Sequence, residues 1–167
     1  MFGVNAMFPN FVLDGVMDDA IVTIDSMKIP GWKIIYFYPK DFTFICPTEI
    51  ISMDMLVEDA SVIGISPDNE HCKLAWKKQN EDLANISHPL LADRGLALSS
   101  ELGIVDHKEN VCLRATFILN ESNVIKHVSC NELDTGRNAQ EILRTLKALQ
   151  AGGLTGCEWN PGDDFVA

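Results

Sequence analysis

Apolar residues gather into short runs, rich in β-branched and aromatic side chains, at Ile21–Ile24, Ile34–Tyr38, Val62–Ile65, Ala115–Leu119 and Val124–Val128. Runs of this length and type read as strands. Between several of them the period lengthens to that of a helix. Asn138–Leu149 sets Ile142, Leu143, Leu146 and Leu149 on one face, opens with the capping pair Asn138 and Glu141, and stops at Gly152-Gly153. The segments 47–59, 69–83 and 93–101 predict further helices. Strands that alternate with helices predict an α/β layer fold, with the strand order left open.

One junction in this pattern carries chemistry. The run Lys33–Tyr38 ends at Pro39, which blocks extension of a strand, and Pro47 suits the first position of the helix that continues through Glu49, Ile50, Ile51, Met53 and Leu56. Cys46 therefore falls at a helix N-terminus, where unpaired N–H groups and the positive end of the dipole favour a thiolate. A free thiol, titrating near 8.5, is mostly protonated at neutral pH, and holding a thiolate there takes about 3–4 kcal/mol. A helix terminus supplies only about 0.3–1 kcal/mol, so a nearby cation is required.

Composition narrows the setting. With 167 residues, 47% of them hydrophobic and 22% charged, the chain makes one globular domain, and its net charge of −11 argues against a nucleic-acid partner. No stretch approaches a membrane span, and MFGVNAMFPNFVLD lacks the basic region of a signal peptide, so a cytoplasmic location is expected. Five cysteines without a CxxC pair suggest neither a disulfide framework nor a zinc site. Any disulfide is expected to be catalytic. His71-Cys72 is no metal site, because adjacent ligands cannot close a tetrahedral shell.

The pattern Pro39-x-x-x-Thr43-x-x-Cys46, set within DFTFICPTEI, resembles the active-site signature of the typical two-cysteine peroxiredoxins of the alkyl hydroperoxide reductase C type. Further matches follow in order at AMFPNFVL, HPLLAD (88–93), LRATFIL (113–119) and GRNAQEILRTLKALQ (136–150). The resemblance implies a thioredoxin-like fold, a central mixed sheet with helices on both faces, over residues 1–150, and a tail over 151–167. It implies peroxide reduction with no metal, haem or flavin in this chain. Cys46 is the implied nucleophile and Arg114 the cation beside it. Thr43 donates to the peroxide, Pro39 shields the pocket, Glu49 orients Arg114, and Arg137 supports them. The resolving thiol that the resemblance implies is Cys157 of a second copy, and with it a homodimer, often a ring of five dimers, and a thioredoxin-like or flavoprotein reductase. Only Glu158 separates Cys157 from Trp159, a shorter spacing than in the usual bacterial tail.

The peroxide-sensitive members of that family carry a GGLG insertion and a C-terminal Tyr-Phe helix. The corresponding segments here read KKQNEDLANIS and GDDFVA, so resistance to over-oxidation is expected. Cys72, Cys112 and Cys130 read as passive, although strand alternation puts Cys112 on the face of Arg114. Trp76 reads as packing. A redox-dependent holdase or a peroxide sensor is the alternative function, and a thioredoxin-like disulfide reductase is disfavoured by the missing CxxC.

Overall fold

The computed structural model describes residues 2–167. Nine strands run Val12–Met17 (β1), Ala20–Asp25 (β2), Lys33–Phe37 (β3), Ser61–Ser66 (β4), Leu90–Ala92 (β5), Val105–Asp106 (β6), Val111–Cys112 (β7), Arg114–Leu119 (β8) and Ile125–Asn131 (β9). The helices are Ile45–Met53 (α1), Glu70–Gln79 (α2), Glu81–Ala84 (α3), Ala97–Leu102 (α4) and Ala139–Ala151 (α5). Seven strands form one sheet in the order β2-β1-β5-β4-β3-β8-β9, while β6 and β7 pair separately. The sheet is mixed. β3 runs parallel to β4 and β4 to β5, whereas β1/β2, β1/β5, β3/β8 and β8/β9 are antiparallel.

The central strands β3, β4 and β8 are buried almost end to end and mainly apolar because both faces are covered. Ile34, Tyr36 and Tyr38 join one cluster with α1, α3 and α5 through Ile50, Leu83 and Leu146. Ile35 and Phe37 join the other with Phe8, Phe11 and, from α4, Leu98 and Leu102. Gly64 on β4 lies under Tyr36. A Cβ there would sit 2.6 Å from the tyrosine hydroxyl, so any larger residue would displace the buried Tyr36 ring. Among the described residues, no helix is long and apolar enough to cross a membrane.

Three helical boundaries differ from the sequence pattern. The helix expected over 47–59 starts earlier, at Ile45, and beyond Met53 tightens into a 3₁₀ turn over Asp54–Glu58. The one expected over 69–83 breaks at Asn80, whose extended backbone ends α2 and whose side chain caps α3. The segment 93–101 first turns through Gly95 and Leu96, both at positive φ, and α4 starts only at Ala97, with Asp93 accepting from the amides of Leu98 and Ser99. The α5 pattern holds: Asn138 accepts from the amides of Gln140 and Glu141, and Gly152 ends the helix at φ 72°. β1 and β5 lack the apolar alternation that would mark them, since Asp14 and Gly15 interrupt one and the other is only three residues long.

Candidate active site

β3 delivers the chain to the site. Tyr38 continues it with a hydrogen bond from its amide to Ile65 O (2.9 Å), and the buried Pro39 then ends the ladder. The loop turns sharply: the Asp41 amide donates to Asp68 Oδ2 (2.7 Å), Phe42 takes φ 56°, and the Thr43 hydroxyl donates to Lys40 O (2.9 Å). α1 follows directly. Its N-cap residue, Phe44, offers no side-chain cap, and its ring is 96% exposed. Cys46 thus stands in the first helical turn, where backbone N–H groups lack intrahelical partners, and is wholly buried.

Glu49 follows Cys46 by one turn and meets two arginines that arrive from elsewhere in the chain. Arg114, the first residue of β8, donates from Nη1 to Cys46 Sγ (3.3 Å) and to Glu49 Oε2 (2.7 Å), and from Nε to Leu133 O (2.8 Å). Arg137 precedes α5 and donates from its amide (3.0 Å) and Nε (2.9 Å) to Glu49 Oε1. It also bonds Ala115 O and Thr116 Oγ1 and lies 5.1 Å from the centre of the Tyr36 ring. Burial alone would lower the Arg114 pKa. The hydrogen bond to Cys46 and the Glu49 charge outweigh it and hold the guanidinium above its ordinary value. Burial pushes the Tyr36 phenol well up, so this ring stays neutral beneath Arg137.

Pro39, Thr43 and Arg114 come together as walls of a pocket of about 320 Å³, completed by Lys40, Glu109, Val111 and Leu133. Cys46 does not itself line the pocket and adjoins it through its contact with Arg114. Glu109, Val111 and Leu133 were not legible as site residues. They come from the β6–β7 hairpin and the segment after β9, and Leu133 acts through a backbone carbonyl, which has no sequence signal. A larger apolar groove of about 650 Å³, bordered by Val12, Ile24, Val57 and His88, shares none of these residues.

The other cysteines part from this centre. Among the described residues all five cysteines, Cys46 included, are unpaired. Cys112 does not share the face of Arg114. A tight turn at Leu113, closed by the Ala115 amide to Leu113 O (2.9 Å), separates β7 from β8 and resets the alternation. Cys112 therefore packs in the opposite cluster and donates to Tyr38 O at 3.1 Å, while burial pushes its thiol up to about 12. Burial also raises the Cys72 and Cys130 thiols. Trp76 is core, packed against Tyr38 and Phe42. Cys157 is exposed on a tail that folds back onto α5: Trp159 is buried, accepts from Arg144 at its carbonyl and stacks on Phe165.

Residues 4–128 match the AhpC/TSA family. That span contains Pro39, Thr43, Cys46, Glu49 and Arg114 but neither Arg137 nor Cys157. Alkyl hydroperoxide reductase C of Mycolicibacterium smegmatis is 41% identical over 155 residues, covering 89% of this chain and 79% of the relative. Among solved structures, AhpC of Mycobacterium tuberculosis superposes with a TM-score of 0.85 at 34% identity, covering 96% of this chain and 99% of the other. The reduced 2-Cys peroxiredoxin of Plasmodium vivax superposes with a TM-score of 0.90 at 30% identity, covering 96% and 91%. The seven-stranded sheet is thus that of a thioredoxin-like fold.

Proposed function

The chain belongs to the AhpC/TSA family of peroxiredoxins, and from that premise we propose the cycle by which its buried cluster reduces peroxides. It is a thiol peroxidase. The observation that supports the cycle most directly is the 3.3 Å contact between Arg114 and Cys46 beside a carboxylate shared by two guanidinium groups. A thiolate at Cys46 makes this buried cluster neutral, whereas a thiol leaves one uncompensated positive charge.

In the proposed first step, hydrogen peroxide or an organic hydroperoxide enters the pocket between Pro39, Thr43 and Arg114. Thr43 accepts the peroxide O–H instead of donating to it as the resemblance implied, since its own hydrogen is directed to Lys40 O. Arg114 faces both the sulfur and the substrate oxygens, so one cation holds the nucleophile and stabilises the charge that develops on the leaving oxygen. The thiolate attacks the terminal oxygen. The S–O bond forms as O–O breaks, sulfur gives up two electrons and keeps the terminal O–H as the sulfenic acid, and the departing oxygen takes a proton from solvent and leaves as water or an alcohol. Glu49 orients Arg114, and Arg137 steadies Glu49.

The resulting sulfenic acid condenses with the thiol of Cys157 from a second copy, forming a disulfide and water. In this reading residues 1–150 carry the peroxide chemistry and 151–167 present the resolving thiol across a homodimer, gathered into a ring of five dimers. A thioredoxin-like dithiol protein or a flavoprotein reductase then restores both thiols. The cycle suits a reducing compartment such as the cytoplasm.

A peroxidase assay coupled to a dithiol reductant tests it. Cys46→Ser should consume no peroxide, and retention of more than about a tenth of the wild-type rate would place the nucleophile elsewhere. Stoichiometric oxidation without turnover, coupled to client binding, would favour a holdase or sensor.

A further inference from the structure

A second buried polar cluster lies at the other end of the active-site loop and takes no part in the cycle above. Lys73, on α2, is entirely buried. Its ammonium is 3.3 Å from both carboxylate oxygens of Asp41, bonds the Ser66 hydroxyl and stands 5.4 Å over the Tyr38 ring. Ser66 in turn donates to Asp41 Oδ1 at 2.9 Å. Burial pushes the Asp41 carboxyl up and the Lys73 ammonium down, and the attraction between them opposes both shifts. The next residue, Phe42, is a bulky side chain at φ 56°, a conformation that persists only where its surroundings impose it. Here they do: Asp41 is fixed on one side, and on the other the Phe42 ring packs 5.8 Å from Trp76, one turn beyond Lys73 on α2.

We propose that Lys73 is a positioning residue that latches the loop from Pro39 to Cys46 onto α2, setting how often the first turn of α1 opens. The inference rests on the assignment of Cys46 as the peroxide-reactive thiol. While the latch is closed, Thr43 and Pro39 wall the pocket and the Cys46 sulfur stays buried beside Arg114. Once Asp41 is released, the strain at Phe42 relaxes and the sulfur can reach an external thiol. The two halves of the cycle therefore pull on Lys73 in opposite directions. A tighter latch favours peroxide attack, and a looser one favours disulfide formation.

The test compares wild type with Lys73→Met and, because a lone buried carboxylate can prevent folding, with the double variant Asp41→Asn/Lys73→Met. Amide hydrogen exchange of the 39–46 peptide is followed beside that of α5, and single-turnover kinetics are measured on the same reduced full-length samples. In whichever variant folds, loop exchange should rise about tenfold while α5 is unchanged. Peroxide attack should slow by a similar factor and disulfide formation with Cys157 should quicken. Loop exchange and both rates within about twofold of wild type would overturn the latch, and so would loop and α5 exchange rising in parallel, which would reduce Lys73 to a support of the whole fold. Wild type that consumes no peroxide would overturn the Cys46 assignment instead, and loop exchange would still decide the latch.

Discussion

Removing Arg114 tests whether the site depends on charge or only on shape. At the observed 3.3 Å separation from Sγ, a unit positive charge and a thiolate attract by about 5 kcal/mol in a medium of effective dielectric near 20. Arg114→Ala removes that attraction and leaves Glu49 with Arg137 as its one cationic partner, so the carboxylate now opposes a neighbouring thiolate. Water entering the vacated space and relaxation of Arg137 recover part of the loss. A net cost of about 3 kcal/mol is expected, or roughly 100-fold in the second-order rate with peroxide. The assay is alkylation of Cys46 as a function of pH, run beside stopped-flow peroxide reduction. The alkylation midpoint should move to higher pH, because the cation that favours the ionised form is gone. Arg114→Lys should recover part of the rate, since it restores the charge but not the second donor, Nε, that fixes the guanidinium on Leu133 O. A midpoint unchanged in Arg114→Ala, with a rate within about threefold of wild type, would show that the cluster does not act through Arg114.

Three further outcomes are expected, two from the proposed cycle and one from the structure. Cys157→Ser should reduce about one equivalent of peroxide per subunit and then stop, and oxidised wild type, but not this variant, should run as a covalent dimer on non-reducing gels; a dimer that persists would point to Cys72, Cys112 or Cys130. His88 is buried, with Nδ1 2.7 Å from Asp54 and Nε2 2.6 Å from the Tyr36 hydroxyl. Burial lowers its pKa from 6.5, so the unfolded chain binds the proton more readily: stability is full above that value and declines as pH falls below it. Relative to His88→Gln, wild type should lose up to about 1.4 kcal/mol between pH 7.5 and about 5.5 in thermal melts, and parallel profiles would refute the assignment. With reductant supplied, Cys46 should stay largely free of sulfinic acid through many turnovers at millimolar peroxide, whereas stoichiometric addition of two oxygens in the intact mass would mean that the site opens too slowly.

The legibility of this site followed sequence distance. From Pro39 to Glu49 the residues lie within one strand-loop-helix unit, and local rules place them. Arg114 and Arg137 come from distant segments and were found through the resemblance; composition and periodicity alone would have left them as strand and helix-flanking cations. Strand alternation breaks at Cys112 because a single tight turn at Leu113 inverts the faces, and nothing in VCLRAT marks that turn. Lys73 was invisible for a different reason. In the run Glu70-His71-Cys72-Lys73 a lysine reads as solvent-facing, and only the tertiary placement of Asp41 makes its burial tolerable.

The anchoring of α1 explains how one helix can serve two opposed demands. Its C-terminal half is held by Ile50 and Met53 in the apolar cluster, and just beyond it Asp54 joins the His88–Tyr36 chain. Its first turn is held differently. Phe44 supplies no cap, a deficit of roughly 1 kcal/mol relative to a serine or aspartate there, and its ring packs against nothing that would resist fraying. Apart from the Cys46 side chain, which reaches the apolar cluster, what closes the first turn is polar: the Arg114–Cys46–Glu49 contacts from one side and the Asp41–Lys73 pair from the other. In the proposed cycle, oxidation of Cys46 exchanges a thiolate for a neutral sulfenic acid and leaves the arginine cluster with excess positive charge, which weakens the first of those restraints at the sulfur while Arg114 keeps Glu49. Because the restraint weakened is electrostatic and local, opening can stay confined to the first turn while the apolar contacts of Ile50 and Met53 keep the rest of the helix in place.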